Sequence, residues 1–233
     1  MTESAVNWDD ISGWWVREVA DDPVYQEDVG PMFDRLLRYT LGPTLDLGCG
    51  EGQWLRRLIS HDDVFGTDAS HFLLRQALTS APVARSLLPD LGWVRNGAIG
   101  TAVSLFVLEL IQDHERFFGE TARIVTAGGA LVVIFNHPAF TAPDSGPFMD
   151  PDLDVFWRWG DYLGMGSSEV PAGSGTVVMH HRSIAELLTT AARAGWVLEE
   201  MLEVPLGTAA IEREPSYAGQ EGIPRFFGAR WRR

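Results

Sequence analysis

The chain has 233 residues, 45% of them hydrophobic, and 18 basic against 32 acidic side chains leave a formal net charge of −14. That length buries a sizeable core without disulfides, and the hydrophobic share argues against wholesale disorder. The charge is a poor footprint for nucleic-acid binding, which needs cations to replace phosphate counterions, and the single cysteine, Cys49, excludes a disulfide framework or a cysteine-rich zinc site.

The acidic start, Met1 to Asp10, has neither the basic segment nor the apolar run of a signal peptide. Trp8, Ile11, Trp14, Trp15 and Val16 fall on one face of a helix over 8–20, interrupted at Asp22-Pro23. A second helix is expected from Tyr25 to Tyr39, broken by Gly42-Pro43. There follow a strand at Thr44–Leu47, a helix at Trp54–Ile59, a strand at Val64–Thr67 and a helix at Ser70–Leu78. Ala102–Leu108 reads as an apolar strand, Glu115–Ile124 as a helix and Ala130–Phe135 as a buried strand. These apolar runs are far short of a membrane span, so a cytoplasmic protein without membrane association is expected. Short apolar strands alternating with helices predict an α/β fold with a mainly parallel, doubly wound sheet.

Residues 136–175 break this rhythm. They hold Pro138, Pro143, Pro147, Pro151 and Pro171, together with Phe140, Phe148, Phe156, Trp157, Trp159 and Tyr162. A long irregular insertion is usually functional or disordered, and the aromatic load argues against disorder. Beyond it, Thr176–Met179 is extended, Ser183–Ala194 a helix ended by Gly195, and Trp196–Glu203 and Arg225–Trp231 two late strands. One domain, 1–233, is expected, with 1–40 as a helical lid and 136–176 as a cap folded over the sheet. The late arginines Arg225, Arg230, Arg232 and Arg233 read as a solvated basic end.

The strongest signal is Asp46-Leu47-Gly48-Cys49-Gly50-Glu51-Gly52, a strand entering three alternate glycines before a helix. Glycine permits positive φ and close approach of a ligand to the backbone. In an open α/β sheet such a loop lies at the carboxyl ends of the strands, where ligands bind. Asp68, 18 residues after Gly50, ends the second strand, the place for a carboxylate that accepts both hydroxyl protons of a ribose. The spacing is not the dinucleotide fingerprint, which counts against a nicotinamide-dependent oxidoreductase.

On these residues the sequence closely resembles the class I S-adenosylmethionine-dependent methyltransferases, bacterial small-molecule enzymes among them. Gly66-Thr67-Asp68-Ala69-Ser70 matches their second motif, Val103 to Glu109 their fourth strand and following turn, and Arg123 to Leu131 the lead into the fifth strand. The resemblance implies a Rossmann-like, seven-stranded, mostly parallel sheet and S-adenosylmethionine as cofactor, with S-adenosylhomocysteine as product. It places the methionine part at Asp46 and the loop of Gly48, Cys49 and Gly50, the ribose at Asp68, the adenine beside Ala69, Leu87 and Leu88, and the sulfonium at Leu105 and Phe106, with Tyr25 closing over the cofactor. Ser86-Leu87-Leu88 stands where the family often has an aspartate for the adenine amine.

Methyl transfer to a hydroxyl or an ammonium needs a base, and histidine suits neutral pH. His137 follows the fifth strand, in a His-Pro-x-Phe sequence that a bacterial branch of the family shares, along with a later His-Arg matched by His181-Arg182. His137 and His181 are therefore candidate catalytic residues, His181 with anchoring of the insertion as its other role. No spacing suggests a metal. Trp14, Trp15, Tyr25, Phe148, Trp157, Trp159, Tyr162 and Met165 are candidate walls for a small, partly apolar or aromatic acceptor. O-methylation is favoured over N-methylation, no nucleic-acid partner is expected, and a non-catalytic cofactor-binding regulator or scaffold is the alternative.

Overall fold

The computed structural model describes residues 7–20, 22–59 and 63–233; the opening stretch Met1–Val6 of the signal-peptide reading lies outside them. The chain forms α1 (Trp8–Ala20), a π-helical turn (Val24–Val29), α2 (Gly30–Leu37), β1 (Thr44–Leu47), α3 (Gln53–Leu58), β2 (Val64–Asp68), α4 (His71–Ala77), β3 (Val83–Arg85), β4 (Ile99–Leu105), α5 (His114–Ile124) and β5 (Val125–Asn136). After these come α6 (Pro138–Thr141), β6 (Gly146–Met149), β7 (Val155–Arg158), β8 (Gly166–Ala172), β9 (Gly175–His181), α7 (Ile184–Arg193), β10 (Val197–Val204), α8 (Thr208–Arg213) and β11 (Phe226–Arg232).

Seven strands form one sheet in the order β10-β11-β5-β4-β1-β2-β3, parallel except for β11, which runs antiparallel to both neighbours. Every residue of β1 and β4 is buried, as expected of central strands covered on both faces. Alternation along β5 divides the core. Leu131, Val133 and Phe135 join one layer with Phe117, Phe118, Leu187 and Trp231, whereas Val132 and Ile134 join the other with Phe33, Leu36, Trp54 and Leu55. Helix starts follow side-chain capping. Ser70 accepts from the N–H of Leu73, Asp113 from that of Arg116 and Ser183 from that of Glu186.

Three expectations are corrected. The fourth strand is Ile99–Leu105 rather than Ala102–Leu108, because Phe106 takes a left-handed φ of 57° and Leu108–Leu110 turn into a 3-10 helix. The insertion is not irregular: it folds as two antiparallel hairpins, β6–β7 and β8–β9. The late arginines are a solvated end only in part: Arg232 and Arg233 are exposed, Arg225 is half-buried and Arg230 is not exposed. Arg230 is buried, donates to the carbonyls of Leu36 and Leu37 and pairs with Glu199 at 2.9 Å, while Arg233 donates to Ala122. Among the described residues, no helix is long and apolar enough to cross a membrane.

Candidate active site

The carboxyl ends of β1, β2 and β4 open into a cavity of about 530 Å³, a size that suits a cofactor with a small ligand. Its floor is the glycine loop. Gly48 and Gly50 line it with φ of +82° and +55°. A Cβ on Gly48 would stand 2.3 Å from Cγ2 of Val107, so the loop and the exit of β4 interlock only around a glycine. The N–H of Gly50 donates to Oδ2 of Asp68 at 2.9 Å and that of Ser70 to Oδ1 at 2.8 Å. The carboxylate is thereby aimed, and its remaining lone pairs are free for hydroxyl donors. Burial raises the Asp68 pKa, and these backbone donors oppose the shift.

Ala69, Leu87, Leu88, Leu105, Phe106 and Tyr25 also line the cavity. Tyr25 meets the Phe106 ring edge to face at 5.6 Å, and burial raises its pKa. The strained φ of Phe106 sits where the resemblance places the sulfonium, the kind of position at which backbone strain accompanies function. Asp46 and Cys49 stand differently. Asp46 lies beneath the loop, buried, with both carboxylate oxygens unpartnered among the described residues, and burial pushes its pKa well up. It is not among the cavity-lining residues. Cys49 turns its thiol into the core against Gly66, and its N–H donates to the carbonyl of Thr67. Asp90 accepts from Gly92 and is not among the residues that line the cavity.

His137 and His181 are not brought to the cavity. Nδ1 of His137 accepts from the N–H of Ala139 at 3.0 Å, which caps α6, so Nε2 carries the proton and donates to Glu203 at 2.7 Å. Nε2 of His181 donates to the carbonyl of Tyr162 at 2.8 Å, leaving Nδ1 to accept from Thr141 at 3.0 Å. Burial lowers both pKa values. Rings with both nitrogens committed inside the fold offer no lone pair to an acceptor, so the geometry fits them as braces of the insertion rather than as bases. His137→Asn, which keeps a cap but cannot serve as a base, is expected to retain turnover within about threefold, against the 10²- to 10⁴-fold cost of losing a true base. A folded variant with turnover down a hundredfold by steady-state assay would return His137 to the chemistry.

The acceptor side of the cavity is corrected as well. Trp14, Trp15 and Tyr25 do line it, but Phe148, Trp157, Trp159, Tyr162 and Met165 do not. The wall comes instead from the β8–β9 hairpin, through Val170, Pro171, Ala172, Val177 and Met179. That hairpin shares a small core with Ile11 and Trp14 of α1, and the φ of +61° at Gly173 turns it beneath the Trp14 ring. Phe148 and Trp159 are exposed, and Trp157 lies tilted against Phe140 rather than on the cavity wall.

Three polar residues were missed as functional candidates. Glu109, in the turn after β4, is 2% exposed and lines the cavity. Its Oε1 accepts from the side-chain amide of Asn136 at 2.9 Å and from that residue's N–H at 3.3 Å, while Oε2 has no partner among the described residues. Burial raises its pKa to about 7. Arg225 reaches the cavity from the residue before β11, and Tyr217 from the segment between α8 and β11, a segment in which no element was expected. A lone acid in the apolar run Val107–Ile111 was the available signal for Glu109. None marked Arg225 apart from its neighbours.

A seven-stranded sheet with one antiparallel strand, a glycine loop at β1 and an aimed acid at the end of β2 define a nucleoside-cofactor-binding α/β enzyme of the methyltransferase type. Residues 45–133 match the family model of the methyltransferase domain. No match appears among curated proteins. An S-adenosylmethionine-dependent methyltransferase from Mesorhizobium loti aligns over 87% of this chain and 96% of its own, at 27% identity and a TM-score of 0.77. A structure of the same description from Listeria monocytogenes covers 88% and 99%, at 17% identity and TM-score 0.74. Phosphoethanolamine N-methyltransferase 2 of Haemonchus contortus, solved with S-adenosylmethionine, covers 87% and 51%, at 12% identity and TM-score 0.59. Residues 45–133 thus carry a methyltransferase domain, and this match together with the Mesorhizobium loti structure supports a class I S-adenosylmethionine-dependent methyltransferase with S-adenosylmethionine as cofactor.

Proposed function

We propose that this enzyme moves the methyl group to an oxygen of a small, partly apolar or aromatic acceptor, with Glu109 as the base. The observation that carries this reading is the continuity of one cavity. The glycine loop and Asp68, Glu109, the β8–β9 hairpin and the tryptophans of α1 all line it. A polymer would have to pass the lid; a small molecule fits beneath it.

S-adenosylmethionine supplies a methyl group on a sulfonium, already activated for in-line displacement. The protein's residues align, dry the site and move a proton. Asp68 takes the ribose hydroxyls, and Gly48 and Gly50 allow the methionine end to approach the backbone. A cationic methionine end above the loop would favour ionisation of the buried, unpartnered Asp46 carboxyl beneath it, against the burial that keeps it neutral. Leu105, Phe106 and Tyr25 exclude water beside the reacting carbon. Asn136 holds Oε1 of Glu109, and Oε2, buried and without a partner among the described residues, would take the proton of an acceptor pressed against this wall. The two histidines hold the insertion in place.

The test is incubation with S-adenosylmethionine and a panel of phenols, aliphatic alcohols and amines, read by mass spectrometry for a methylated product. Transfer to oxygen of a small acceptor is the expected result. Transfer only to amines would overturn the O-methylation reading, and transfer only to a polymer would overturn the small-acceptor reading.

A further inference from the structure

Arg225 is a cation in an unusual setting. Its Cζ lies 4.3 Å from the ring centroid of Phe140, 5.9 Å from that of Tyr217 and 6.0 Å from that of Phe226. Aromatic faces hold the guanidinium but accept nothing from its N–H edge. Among the described residues it forms no ion pair and donates no side-chain hydrogen bond. Glu109 shares the cavity but is engaged by Asn136 instead. Arg213, the other arginine on the cavity wall, is paired with Asp22 at 3.2 Å. Loss of water works against the charge of the half-buried Arg225 more strongly than nearby Glu109 and the tyrosines favour it, and a carboxylate ligand on its N–H edge would offset that cost.

We propose that Arg225 anchors a carboxylate on the acceptor, which makes the substrate class small hydroxy acids with an apolar or aromatic body. The inference rests on the reading of this cavity as the acceptor site. The planar N–H edge of a guanidinium matches the two oxygens of a carboxylate. One unpaired cation suits a monoanion. A phosphate dianion would leave a charge unmatched in a cavity that already holds Glu18, Asp22, Glu109 and Glu214. The methylated hydroxyl lies on the same molecule, toward Glu109. The O–H bond breaks as its proton goes to Oε2, the new carbon–oxygen bond forms, and the carbon–sulfur bond breaks to release S-adenosylhomocysteine.

The probes are benzoate and benzamide, titrated calorimetrically into protein loaded with S-adenosylhomocysteine. Wild type is expected to bind benzoate at least about tenfold more tightly than benzamide, the scale of a charge-assisted pair. In Arg225→Gln the preference falls to within about threefold. Arg225→Lys keeps part of it, with affinity for S-adenosylhomocysteine unchanged in both variants. Equal binding of the two probes by wild type, no benzoate binding at millimolar concentration, or a preference that survives Arg225→Gln overturns the anchor. The wild-type comparison requires no variant to fold. Failure of S-adenosylhomocysteine to bind would instead strike the cofactor reading, and the benzoate comparison is then read on the free protein.

Discussion

Asp68→Ala is expected to weaken S-adenosylmethionine binding by about a hundredfold or more in titration calorimetry, while the fold survives. The carboxylate is aimed by two backbone donors, Gly50 at 2.9 Å and Ser70 at 2.8 Å. The Ser70 hydroxyl itself donates to Asp9 of α1 at 2.6 Å. The remaining lone pairs of the Asp68 carboxylate would meet the ribose hydroxyls, and a hydrogen bond to a charged group contributes about 1.5–3 kcal/mol. Two such bonds account for the hundredfold loss, and release of the Gly50 loop adds to it. Because Asp68 is at the end of an edge-side strand rather than in the core, thermal unfolding should shift little. Affinity within about threefold of wild type would show that the ribose is held elsewhere.

Glu109→Gln is expected to cut turnover by about 10²- to 10⁴-fold, with cofactor affinity unchanged. Glutamine preserves the shape and the acceptor for the Asn136 amide, so the substitution removes the proton-accepting charge and little else. The wild-type pH profile carries a second signature. Burial raises the Glu109 pKa to about 7, and the base must be deprotonated to act. Turnover therefore climbs as pH rises through about 7 and levels off above it, and in the variant this limb disappears. A flat wild-type profile between about pH 6 and 8, or a variant that keeps turnover within about threefold, would remove Glu109 from the mechanism.

The glycine-loop side of the cavity was legible in the sequence because it is built from local backbone. Glycines at 48, 50 and 52 and the acid at 68 are placed by a strand-loop-helix unit whose length and turn residues are local, and the structure brings Gly48, Gly50 and Asp68 to one cavity. The same locality misled at Cys49. Within a glycine loop alternate residues face opposite ways, and its thiol went to the core. The acceptor half is assembled from afar. Trp14, Glu109, Met179 and Arg225 come from four parts of the chain, and side chains such as Trp157 and Met165 could not be assigned to the inside or outside of a hairpin whose register was unknown. Arg225 and Arg230 show the limit most plainly. They are five residues apart on or beside one strand, yet one faces the cavity and the other clamps the end of α2. Composition reads both as charge on a tail; the sheet gives them different neighbours.

The shared tryptophan wall has a consequence for time rather than affinity. Nε1 of Trp15 would lie 3.7 Å from a Cβ on Gly50 in the cofactor loop, while Trp14 covers Gly173 in the hairpin, and both belong to α1. A wall common to two compartments does not open for one alone. A movement of α1 that uncovered the cofactor loop would uncover the acceptor wall in the same stroke, so discharge of spent cofactor and entry of the next acceptor would share one interval of the cycle.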